Sequence, residues 1–321
     1  MRQKLPSLQN LHALGTLLVL GATVACGSEN ETPVGEPQPD RTPGLHRTES
    51  EIIFRTDQFT IDPGQERFVC YTHTLEQDLV VSGYAQAAKP FLHHFVFAKT
   101  AGDEPEGASE CDVLFRLTWE PVFTSGAGAT DIRFPDGVGQ VLPAGTRVLA
   151  QLHLLNSGKQ PVTDYAELKM QPSPIDDPRP LATYAFGNFG VSLPPKQPSK
   201  LESVCTVREP VELVAAFPHM HLLGTALTLE AGPSEGQLTK VFERNPYDFD
   251  DQRLELLNLK LNAGDMTRVT CHYDNTTENT ITFGESTLNE MCFLVGLAAD
   301  RAGASGCLSG TFPDSLGGST K

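Results

Sequence analysis

Apolar and polar positions alternate with a period of two in short runs along most of this chain. In "TRVLAQLHLL", Val148, Ala150, Leu152 and Leu154 form one apolar face, with Gln151 and His153 on the other. Successive side chains of a strand point to opposite faces, so this spacing predicts strands. "RFVCYTH", "FLHHFVFAKT", "VELVAAFPHMHL" and "TRVTCHYDN" read the same way and are separated by Gly, Pro or Asn. Amphipathic helical periods are scarce. From residue 51 onward the pattern predicts an all-β chain.

An internal echo predicts how the strands are grouped. "LPAGTRVLAQLH" (142–153) and "LNAGDMTRVTCH" (261–272) share Ala-Gly and a histidine eight residues after the glycine. Upstream of each lies a histidine pair, "HH" at 93–94 and "HMH" at 219–221. Two tandem antiparallel β-sandwich domains of one plan would give this pattern. The Pro-rich "PSPIDDPRPL" (172–181) is the natural boundary, giving domains over 51–178 and 179–312 and a tail over 313–321.

The N-terminus reads differently. Arg2 and Lys4 precede the short apolar core "ALGTLLVLGATVA", which ends in small residues before Cys26. Residues 1–26 are expected to be a signal peptide, with Cys26 lipidated, although Thr23 departs from the usual lipobox. The polar, Pro-rich stretch 27–50 is expected to be a disordered tether. Removing Cys26 leaves six of the seven cysteines, an even number in an exported chain and hence three disulfides. No CxxC pair is present, so a thiolate zinc site is not expected. A net charge of −16 without a basic cluster argues against nucleic acid and anionic membranes as partners. The membrane is then reached only through Cys26, in a bacterial outer-membrane lipoprotein or a periplasmic or extracellular monomer.

The histidines carry the chemistry. On a strand, His219 and His221 share a face. His93 and His94 point to opposite faces of a flat strand, and meet one metal only if the strand bulges there. The His219/His221 pair needs a further ligand. The repeat favours His272, the counterpart of His153. Met291 is the other candidate: alternation sets it with Phe293 and Val295, while Cys292 and Leu294 face the other way. A lone methionine is otherwise ordinary core filling.

"LHHFVF", "QLHLLN", "HMHLLG" and "NEMC", in this order and spacing, resemble the copper type II, ascorbate-dependent monooxygenases over about residues 55–312. The resemblance implies jelly-roll-like sandwiches with a copper-lined cleft between them, and two coppers per chain. It implies one copper on His93, His94 and His153 and a second on His219, His221 and Met291, the latter set catalytic. Gln151 matches a glutamine beside the third histidine, an electron-transfer candidate. The implied disulfides are Cys70–Cys111, Cys205–Cys307 and Cys271–Cys292. Thioether sulfur selects Cu(I) and imidazole suits copper generally, which fits O₂ chemistry at the methionine set. The implied activity is hydroxylation of a C–H bond with O₂ and ascorbate or another one-electron reductant. Peptide-amidating members carry an arginine where this chain has Phe217 and a tyrosine where it has Val295. Phe217, Phe293 and Val295 therefore suggest a small, rather apolar substrate. The alternative is a non-catalytic copper-binding or copper-handling lipoprotein on the same fold.

Overall fold

The computed structural model describes residues 42–311 apart from 112–115, 117, 127 and 302. The signal segment with Cys26, most of the tether and the 313–321 tail lie outside the described residues. Gly44–Arg47, inside the stretch read as a tether, is a strand paired antiparallel with Ile52–Arg55. Leu45 alone packs on the core from this strand, too little apolar content to stand out beside its Pro-rich neighbours. Among the described residues the one helical piece is a single 3-10 turn, Glu235–Gln237, and no helix is long and apolar enough to cross a membrane.

Among the described residues everything else regular is β, mostly antiparallel. A five-stranded sheet runs in the order Gly107–Glu110, Glu66–Thr74, Arg147–Leu155, Leu92–Thr100, Trp119–Ser125. Val148, Ala150, Leu152 and Leu154 point from it into a core shared with Phe54, Val81, Tyr84 and Leu168 of a second sheet. That is the face the period-two pattern assigned to them. The C-terminal half builds a like sandwich. Its four-stranded sheet, centred on Met266–Asn275 and Gly224–Gly232, covers Arg179–Asn188, Val211–His219 and Phe293–Ala299.

The second layer of both sandwiches is one eleven-stranded sheet. Val138–Leu142 of the first half pairs parallel with Arg179–Asn188 of the second, Val138 opposite Arg179. Strands of the C-terminal half are consequently buried on both faces. In Val211–His219, Leu213 and Ala216 enter their own sandwich, while Val214, Ala215 and Phe217 join the core of the N-terminal half. A continuous apolar run such as "VELVAAF" reflects that double burial.

Disulfides close three of the loops, Cys70–Cys111, Cys205–Cys307 and Cys271–Cys292, the pairing implied by the resemblance. On a chain-entropy model the 21-residue and 102-residue separations correspond to about 3 to 4.7 kcal/mol each.

Candidate metal centre

His93 and His94 reach one side of their sheet because the strand bulges. His153 pairs with His94 and the next residue, Leu154, pairs with Leu92, so His93 is the extra residue of a β-bulge. The three rings gather with centroid distances of 5.3 Å (His94 to His153), 5.8 Å (His93 to His153) and 6.4 Å (His93 to His94). His153 sits on the face of its strand opposite the apolar core, and that face too is covered: His153 and Gln151 are fully buried. Gln151 lies two residues from His153 on the same face, in register with Val96.

The Val211–His219 strand ends at His219, so Met220 and His221 already belong to the following turn. The two imidazoles stay together nonetheless, at 5.1 Å. Met291 lies just before the strand Phe293–Ala299, buried against Trp119, Leu149 and the Cys70–Cys111 bridge of the other half. His272 takes the outer face of its strand and is half-buried. Its neighbours Cys271 and Tyr273 face the core.

Both histidine sets meet at the contact between the halves. The His94 ring lies 4.9 Å from that of His219 and 6.3 Å from that of His221. Beside them opens a cavity of about 440 Å³ bounded by His94, His219, Met291, Phe217, Phe293 and Val295. Trp119, Phe189 and Phe283 extend its apolar wall, and Glu285 is the one acidic residue on it.

The hydrogen bonds around the imidazoles test whether they suit a metal. His219 Nδ1–H donates to Gln252 Oε1 at 2.8 Å, and His221 Nδ1–H to the Asn289 carbonyl at 3.1 Å. Both Nε2 atoms are left buried without a partner, as is His93 Nδ1. Oxygen acceptors on one ring nitrogen fix the tautomer that offers the other to a metal. His153 Nε2 lies 2.7 Å from Glu66 Oε1, and His153 Nδ1 faces His94 Nδ1 at 3.1 Å. Two nitrogens held about 2.0–2.1 Å from one ion stand at about this separation. In their chemistry the donor sets fit copper. Among the described residues no three His, Cys, Asp or Glu side chains close around a common metal position; in the first set the His93 ring stands furthest from its two partners.

Burial pushes the pKa of His219 down to about 4 and of His221 to about 3, and holds His94 well below its ordinary value, the neighbouring imidazoles adding to it. All three are neutral near pH 7, the form that binds metal. The bond to His153 holds the Glu66 carboxyl below its usual range.

The residues that hold these ligands carry no repeat or spacing signal of their own. Glu290, fully buried, accepts the backbone N–H of His221 (2.8 Å), Leu223 (2.6 Å) and Met291 (3.3 Å). One carboxyl thus ties the His-Met-His turn to the methionine. Burial pushes its pKa up to about 7 against those amides. Tyr247 brackets Met220, donating to its carbonyl at 2.6 Å and accepting from its N–H at 2.8 Å. Phe249 packs on His93 with centroids 5.0 Å apart. Adjacency to Met291 in "NEMC" could have flagged Glu290; nothing local marks Tyr247, Phe249, Gln252 or Glu66.

Residues 183–309 match the family model described as copper type II ascorbate-dependent monooxygenase, C-terminal domain. A human protein named "Putative DBH-like monooxygenase protein 2" is 27% identical over 253 residues, 70% of this chain and 49% of that protein. The chain spans about half the length of that curated relative. Among solved structures, PBCV-1 VP54 aligns at a TM-score of 0.29 and 12% identity, covering 78% of this chain and 94% of that one. Vicilin from Solanum lycopersicum aligns at 0.18 and 9%, covering 78% and 74%. At such scores neither likeness bears on fold or function.

Proposed function

We propose that this chain, whose residues 183–309 belong to the copper type II, ascorbate-dependent monooxygenase family, hydroxylates a C–H bond of a small, largely apolar substrate. The observation that carries the reading is the 440 Å³ cavity, which brings an apolar wall against His219 and Met291. A catalytic pocket needs such a dry, shaped space beside its reactive centre.

In this reading His93, His94 and His153 would hold one copper, and His219, His221 and Met291 the other. Bound there, copper would supply one-electron redox chemistry and the activation of O₂, with ascorbate or a similar reductant as electron source. The protein's own part is positional. Gln252 and Asn289 hold the Nδ1 hydrogens of His219 and His221 and so leave both Nε2 atoms bare, and Glu290 fixes the turn that carries them. Phe217, Phe293 and Val295 exclude water and accept an apolar substrate body. No arginine stands at Phe217 to grip a peptide carboxylate, which supports a substrate without one. Gln151, behind His153, is the candidate on the electron route.

The test is copper content per chain followed by reductant-dependent O₂ uptake against a panel of apolar compounds. Two coppers with substrate-stimulated uptake are expected. Two coppers without turnover on any compound would favour the copper-handling alternative instead.

We also propose export with Cys26 as lipid anchor. Three disulfides suit an oxidising compartment. Cys26→Ser should move the protein from the membrane to the soluble fraction, and full retention on membranes would refute the anchor.

A further inference from the structure

One side chain reaches both histidine sets. Gln252, 1% exposed, accepts from His219 Nδ1 through Oε1 and donates through Nε2 to the Phe249 carbonyl at 2.9 Å. The second bond fixes the amide's orientation, because a flipped amide would set two carbonyl oxygens against each other. The remaining amide hydrogen points to His94 Nε2, 3.4 Å away. The backbone carbonyl of Gln252 accepts from Gly126 N–H of the other half at 2.7 Å. A Cβ at Gly126 would collide with Gln252 Cβ, so these two segments approach this closely only with glycine there.

We propose that Gln252 couples the two candidate copper sites, so that filling one weakens the other. The inference rests on the reading above that each histidine set holds a copper. Without metal the donors form one consistent chain. His153 Nε2–H donates to Glu66, which leaves His153 Nδ1 to accept from His94 Nδ1–H. His94 Nε2 is then bare and accepts from Gln252 Nε2–H. Gln252 Oε1 accepts from His219 Nδ1–H, and His219 Nε2 is free for a ligand role.

A metal on His93, His94 and His153 takes the Nδ1 lone pairs of His94 and His153. His153 offers its own without change. His94, staying neutral, must then carry its hydrogen on Nε2, which points it at the Gln252 amide hydrogens, donor to donor. Gln252 relieves this by withdrawing or by turning Oε1 toward His94. Either movement weakens the bond that orients His219. Loading of one site therefore lowers the affinity of the other, and by linkage the effect is reciprocal.

The experiment is a Cu(I) titration of the full chain against a chromophoric chelator, in four proteins: wild type, His153→Ala, Gln252→Leu and the double variant. His153→Ala removes the first site. The second site of that variant should bind Cu(I) at least about 5-fold more tightly than the second site of wild type with its first site filled. Gln252→Leu keeps most of the side-chain volume, brings no copper ligand and removes the relay. It should weaken the second site about 10- to 100-fold outright, and the His153→Ala effect should vanish in that background. An equal His153→Ala effect with and without Gln252 overturns the coupling. Wild type binding fewer than two coppers overturns the site reading itself, so the two failures are distinct. Should Gln252→Leu fail to fold, ¹⁵N-histidine NMR of His221→Ala, which lacks the second site, gives the same answer. Cu(I) added to it should shift the His219 Nδ1–H signal, and an unmoved signal overturns the proposal.

Discussion

Tyr273 donates its hydroxyl hydrogen to the Met291 carbonyl at 2.8 Å, while its neighbour His272 takes the other face of the same strand. Period two thus separates the two candidates for a third ligand. The repeat argument pointed to His272, but a histidine kept in sequence register need not keep its surroundings. Met291 lines the cavity with His219; His272 does not. Met291→His should still bind two coppers, yet lose most O₂ activity and the Cu–S scattering in X-ray absorption of the reduced protein. His272→Ala should leave both intact. An empty second site in His272→Ala together with a silent Met291→His would return the ligand role to the repeat. Softness gives the physical reason: thioether loss disfavours Cu(I) specifically, whereas imidazole loss weakens both oxidation states.

At the level of elements, what could be read was whatever depends on local alternation. The inward face of Arg147–Leu155 and the strand character of the histidine segments follow from neighbours along the chain. So does the condition that His93 and His94 share a side only through a bulge, which the register shift at His153 supplies. The loop carrying Tyr247, Phe249 and Gln252 was not legible. Its side chains act on partners roughly 30 residues back in His219 and Met220, and about 160 back in His94. No periodicity encodes such distant pairings. Glu66 was hidden for the same reason, since its partners His153 and Thr287 come from both halves of the chain. Gly44–Arg47 was missed because one inward leucine does not make a pattern.

Across the whole molecule, the core of the N-terminal half contains Leu181, Ala215, Leu297 and Ala299, all contributed by the C-terminal half. The repeat visible in the sequence is therefore not a unit that can fold alone. A gene fragment encoding residues 179–312 would carry those side chains, with Phe217 and Val214, as bare surface and would self-associate through them. Produced alone it should aggregate, and co-production with residues 42–178 should recover soluble material. A soluble, monodisperse 179–312 fragment would refute this. The same interlock makes the full chain one cooperative system: heat should melt both halves in a single calorimetric transition. Opening a path to the buried histidines by swinging the halves apart would then cost nearly as much as unfolding, so a small molecule that reaches them does so through the cavity.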